Sequence, residues 1–78
     1  MEEILIYGFS EAGRCPYCDN AKAFLDKNGK TYTFKDVQSH RQELMDLRGL
    51  SDLKGQTVPQ VFIDGEYIGG YTELKLFL

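Results

Sequence analysis

Cys15 and Cys18, in Cys15-Pro16-Tyr17-Cys18, are the residues best equipped for chemistry, and they are the only cysteines in the chain. A pair this close makes a weak staple, because disulfide stabilisation grows with the length of the loop closed and this loop is minimal. The same closeness suits a bond that opens and closes. An apolar, strand-like run (Ile4-Leu5-Ile6-Tyr7) precedes the pair and a helical pattern follows it. That puts Cys15 at a helix N-terminus and Cys18 one turn inside. Helix-terminal amides and the positive end of the dipole favour a thiolate at Cys15, and Arg14 adds a neighbouring cation. Cys15 is therefore the expected attacking and leaving sulfur. Cys18, on the core side, is the expected resolving thiol.

A magnitude shows what such a thiolate is for. A pKa lowered by about three units from about 8.5 corresponds to roughly 4 kcal/mol in favour of the anion. The thiolate fraction at neutral pH then rises about thirtyfold, and with a Brønsted slope of about 0.4–0.5 the intrinsic nucleophilicity falls by a comparable factor. Attack gains little. Departure from a mixed disulfide gains most.

The elements that must hold the pair can be read along the chain. Residues 3–7 predict a buried strand ending at Gly8. Pro16 to Asn28 predicts a helix, with Ala21, Phe24 and Leu25 inward, proline in the first turn and Asn28-Gly29 at the stop. Thr31-Tyr32-Thr33-Phe34 predicts a second strand. Ser39-His40-Arg41-Gln42 has capping-box spacing ahead of a helix suggested by Leu44, Leu47 and Leu50 and breaking near Gly49. Val58-Pro59-Gln60-Val61-Phe62-Ile63 reads as a third strand, Asp64-Gly65 as a hairpin turn and Glu66-Tyr67-Ile68 as a fourth strand. After Gly69-Gly70, Thr72 is the expected N-cap of a last helix carrying Leu74, Phe77 and Leu78. Tyr7, Phe24, Phe34, Phe62 and the leucines are expected in the core, and His40 on the surface.

The order is β-α-β-α-β-β-α: an α/β fold, one domain over residues 1–78, with a four-stranded mixed sheet flanked by three helices. The first two strands should be parallel, with a right-handed crossover, and the last two antiparallel. The dithiol then lies beyond the end of the first strand, where ligands bind in open α/β sheets. Net charge is −3 with the signs interspersed, which argues against nucleic-acid and membrane partners. No run approaches signal-peptide or membrane-spanning character. A single CxxC without secretion signals points to a reducing, cytoplasmic compartment. Gly69-Gly70 ahead of Tyr71-Thr72-Glu73 offers bare amides to a carboxylate and room for a ligand to approach the backbone.

Three blocks, Cys15-Pro16-Tyr17-Cys18, Thr57-Val58-Pro59-Gln60-Val61-Phe62-Ile63-Asp64-Gly65 and Ile68-Gly69-Gly70-Tyr71, resemble the glutaredoxins over nearly the whole chain. Tyr7-Gly8-Phe9, the basic residue before Cys15 and Cys18-Asp19-Asn20-Ala21-Lys22 are similar to the small glutaredoxins of T4-like phages. The resemblance implies a thioredoxin-like fold and a glutathione-dependent thiol–disulfide oxidoreductase, acting on protein disulfides and glutathione mixed disulfides. It implies glutathione as co-substrate with no permanently bound cofactor, a monomer, and ribonucleotide reductase among its disulfide partners. A phage-encoded chain would work in the host cytoplasm. Pro59 resembles the cis-proline of this fold, which would turn the N–H and C=O of Val58 towards a peptide-like ligand. Gly70, Tyr71, Thr72 and Glu73 would hold the γ-glutamyl end of glutathione, although the family often has aspartate where Glu73 stands. Arg14 and Gln56 would meet the glycyl carboxylate, and Tyr17 would lie beside the sulfurs.

Other functions remain in view. A glutathione-ligated iron–sulfur cluster carrier is disfavoured by Pro16, which stiffens a turn where cluster-binding relatives have Gly or Ser. A thioredoxin-like reductant serviced by a flavoprotein reductase fits poorly with the motif and the absence of tryptophan. Zinc would need a second ligand pair. A non-enzymatic binding module would keep its function after loss of Cys15.

Overall fold

A computed structural model describes residues 3–78. Its elements run β1 (Ile4–Gly8), α1 (Pro16–Lys27), β2 (Thr33–Asp36), α2 (Arg41–Arg48), β3 (Gln60–Ile63), β4 (Glu66–Gly69) and α3 (Tyr71–Phe77). The sheet order is β2-β1-β3-β4. β1 and β2 are parallel, whereas β3 is antiparallel to both β1 and β4. The order and the mixed sheet are those the sequence predicts. No helix among the described residues is long and apolar enough to cross a membrane.

Alternation along the central strands sends neighbouring side chains to opposite faces. Ile4 and Ile6 of β1 and Val61 and Ile63 of β3 pack with Ala21 and Leu25 of α1 and Leu74 of α3. Tyr7 and Phe62 point the other way, to Val37 and Leu44 beneath α2. Fully burying a side chain such as Leu25 contributes about 1.5–3 kcal/mol. The pair α1 and α3 thus closes one face, and α2 alone covers the other.

Several local expectations change. β2 begins two residues late, because the parallel register gives Tyr7 and Gly8 the partners Lys35 and Asp36. Charged residues suit this edge strand. β3 begins at Gln60 rather than Val58, since Pro59 has no N–H for the ladder. Ser39 is not the N-cap of α2. His40 holds that position without a side-chain cap bond, and Asp36 organises the turn instead. The Asp36 carbonyl accepts from the N–H groups of Ser39 and His40, and its carboxylate accepts from Gln38 N–H and from Ser10. Those bonds hold the Asp36 carboxyl below its usual range, the Ser10 hydroxyl contributing most. Thr72 is likewise not a cap, because α3 starts two residues earlier than that cap would give, at Tyr71, behind Gly70. Leu47, about 60° round the helix from Leu44, is 49% exposed, and Leu76, Phe77 and Leu78 are also exposed rather than core.

Candidate active site

The residue entering α1 is Cys15, in extended conformation, and its sulfur takes the place a serine or aspartate oxygen takes at other helix starts. Cys15 Sγ accepts from the Cys18 N–H at 3.1 Å. The two residues are joined in a disulfide, with Cα atoms 5.2 Å apart. Cys15 keeps 6% exposure and Cys18 none, so any external group meets Cys15 first. Beneath Cys18 lies Gly8, the last residue of β1. A Cβ there would stand 2.6 Å from Cys18 Sγ and 3.1 Å from Phe34 Cζ. A side chain at this point would have to push the sulfur and the ring aside.

On the other side, Val58 brings its carbonyl oxygen to 3.9 Å from Cys15 Sγ, and the Val58–Pro59 bond is cis as the sequence predicts. From here a cleft of about 360 Å³ opens, lined by Tyr17, Thr57, Val58, Pro59, Gly70, Tyr71, Thr72 and Glu73. The fold therefore gathers most of the expected ligand residues from three separate parts of the chain. Thr57 joins them; it opens the second of the three resembling blocks but is not among the expected ligand residues. Tyr17, 62% exposed, tilts its ring against Tyr71 at 6.2 Å, and the Lys75 ammonium lies 4.6 Å from the Tyr71 ring centre.

One wall differs from expectation. The Gly70 amide is not bare: it donates to Glu73 Oε1 at 2.7 Å. Gly69 makes room for this arrangement. Its φ is +123°, and a Cβ on it would stand 2.5 Å from Glu73 Cγ.

Arg14 and Gln56 do not line the cleft. Arg14 pairs with Glu11 at 2.9 Å and lies 4.1 Å from the centre of the Phe9 ring, so its charge is already compensated. Gln56 lines a smaller cavity of about 180 Å³ on the α2 side, with Phe9, Val37, Arg41, Leu44, Leu53, Thr57, Val58 and Gln60. The strip Thr57-Val58 is common to both hollows. His40 turns its Nδ1 to the Asp36 carbonyl oxygen at 3.0 Å.

The α2 side also carries polar chemistry with no periodic signature. Tyr7 donates its hydroxyl to Glu43 Oε1 at 2.7 Å, and Lys35 bonds the same oxygen. Burial, then the neighbouring Glu43 carboxylate, raises the Tyr7 hydroxyl well above the ordinary phenol range. The Lys35 and Tyr7 bonds lower Glu43.

The glutaredoxin family model matches residues 4–68. Glutaredoxin 1 of Escherichia coli strain K12 is 34% identical over 75 residues, covering 90% of this chain and 87% of that protein. The glutaredoxin of Enterobacteria phage T4 is 34% identical over 80 residues, covering 90% of this chain and 92% of the phage protein. The crystal structure of glutaredoxin 1 from Francisella tularensis, complexed with cacodylate, superposes with a TM-score of 0.72 at 33% identity. It covers 97% of this chain and 91% of that one.

Proposed function

The chain belongs to the glutaredoxin family, and from that premise we propose that it reduces disulfides at the expense of glutathione, with Cys15 as nucleophile and Cys18 as resolving thiol. It is a thiol–disulfide oxidoreductase. The observation that carries the glutathione reading is the cleft, whose wall at Val58 stands beside Cys15 Sγ. Its volume falls in the range of about 300–1,000 Å³ usual for small-molecule sites. The Val58 backbone, outside the sheet ladder and beside Cys15 Sγ, can pair with a peptide-like ligand, and the tyrosine pair Tyr17 and Tyr71 walls the cleft on one side.

Two reactions follow. With a glutathione mixed disulfide, the Cys15 thiolate attacks the glutathione sulfur. The substrate thiolate departs and takes a proton from solvent, and a second glutathione thiolate then releases Cys15 as oxidised glutathione forms. With a protein disulfide, Cys15 attacks and one protein thiolate departs. Cys18, deprotonated, then attacks Cys15 Sγ, which frees the second protein thiolate and leaves the Cys15–Cys18 disulfide for two glutathiones to reduce. The resemblance to phage relatives supports ribonucleotide reductase as the electron acceptor, and the need for reduced glutathione supports a cytoplasmic setting.

Coupled turnover on a glutathione mixed disulfide, run beside ribonucleotide reductase as acceptor, tests this reading. Cys18→Ser keeps mixed-disulfide turnover and loses direct disulfide reduction, and Cys15→Ser loses both. Either activity surviving in Cys15→Ser reverses the assignment of roles.

A further inference from the structure

The Thr57-Val58 strip is held by a device in which the glutathione reading above has no part. Gln60 is only 1% exposed, yet each polar end of its side chain is bonded. Its Nε2 donates to the Thr57 carbonyl at 3.0 Å and reaches Gln56 Oε1 at 3.4 Å. Its Oε1 accepts from Arg48 Nη1 at 2.7 Å. Arg48, the last residue of α2, also reaches Gln56 Oε1 at 3.3 Å and lies 3.7 Å from the Tyr67 ring centre on β4. A chain of contacts thus runs from β4 through the end of α2 to the backbone carbonyl one residue before Val58.

The geometry points to Gln60 and Arg48 as positioning residues that set where the Val58 backbone stands relative to Cys15, and so how tightly the cleft takes a peptide-like ligand. The inference rests on the glutathione reading for the identity of that ligand. The site needs an acceptor facing Arg48 and a donor facing Thr57, and the Gln60 amide presents the two on separate atoms of one plane. Removing the donor on Gln60 cuts the bond that ties the Thr57 carbonyl to this buried side chain, and the turn is then free to shift. Arg48 matters in turn because it orients the amide: with its guanidinium on the oxygen, the nitrogen must face Thr57.

Gln60→Glu is the discriminating variant. It keeps shape and the pairing with Arg48 but turns an acceptor towards Thr57. The probe is the mixed disulfide of glutathione with a cysteinyl peptide. The result in support is KM raised about five- to tenfold, the loss matching the net worth of one hydrogen bond, with kcat within about twofold. The rate of Cys15 alkylation by iodoacetamide stays at the wild-type value in that case. Unchanged KM overturns the inference, as does a joint fall of kcat, alkylation rate and melting temperature, which marks a merely structural glutamine. Arg48→Lys, which keeps the cation but loses the fixed fork, raises KM in the same direction by a smaller factor. If Gln60→Glu does not fold, this variant decides alone, and unchanged KM in it overturns the inference. The Thr57 carbonyl carbon resonance gives a readout independent of substrate. It moves upfield in Gln60→Glu if the donor is lost, and an unmoved resonance overturns the inference. A wild-type protein that fails to turn over the probe sinks the glutathione reading, while this resonance still judges the hold of Gln60 on Thr57.

Discussion

The two faces of the sheet are closed by different means. Under α1 and α3 the contact is made by Ile4, Ile6, Ala21, Leu25, Val61, Ile63 and Leu74. Under α2 a smaller apolar group, Tyr7, Val37, Leu44 and Phe62, is edged by bonded polar side chains: Lys35–Glu43–Tyr7 on one side and Arg48–Gln60–Thr57 on the other. Close apolar packing resists displacement through many short contacts, whereas hydrogen bonds fix particular atoms. The first face therefore gives a rigid platform for the buried Cys18. The second sets the backbone that stands opposite Cys15.

That contrast can be broken at several points. Leu25→Ala, under α1, should cost the most, about 2–5 kcal/mol. At roughly 4–8 °C per kcal/mol in a domain this small, that lowers the melting temperature by more than about 10 °C. Leu44→Ala should cost about 2 kcal/mol, the lower end of the same range, because the site adjoins a cavity and can relax or take in water. Equal losses in denaturation of the two variants would remove the energetic difference between the faces. Gly8→Ala drives a methyl into Cys18 Sγ and Phe34 and should cost about 1–2 kcal/mol. It should also change the reduction potential of the dithiol, measured against a glutathione redox series. Tyr7→Phe removes one hydrogen bond from the α2 side and should cost about 1 kcal/mol, read from urea midpoints. The smallest effect concerns acid. Asp36 and Glu43 have folded pKa values below their ordinary 3.8 and 4.5. Their contribution is therefore complete above those ordinary values and is lost as pH falls through the lower, folded ones. Melting temperature should decline between about pH 5 and pH 3, and less steeply in Glu43→Gln. A variant curve parallel to that of the wild type would show that Glu43 carries no part of this linkage.

Much of the platform face was legible, because its signals are periodic or tied to special residues. Alternation in β1, helical spacing at Ala21 and Leu25 and the Asp64-Gly65 turn each have one physical reading, while the cis bond at Pro59 was implied by the resemblance. The α2 face was less legible. Buried polar side chains such as Gln60 have no period: in the sequence Gln60 looks like any polar residue at a strand entrance. Caps failed for a related reason. Ser39 and Thr72 are good caps by type, but the helix starts were settled by Asp36 and by Glu73 bonding Gly70, contacts that depend on how the chain folds around them. Arg14 and Gln56 were assigned to the glycyl carboxylate through the family resemblance, which does not show that Arg14 pairs with Glu11 or that Gln56 lines the hollow on the α2 side.

Gly69 carries a consequence for the history of this cleft. Backbone handedness excludes a side chain there, and so do the methylenes of Glu73, each independently of the other. Under mutation the position has an alphabet of one letter. Its exposed neighbour Thr72 has no such constraint, so the lining can drift and retune what fits while the point at which the last helix departs stays put.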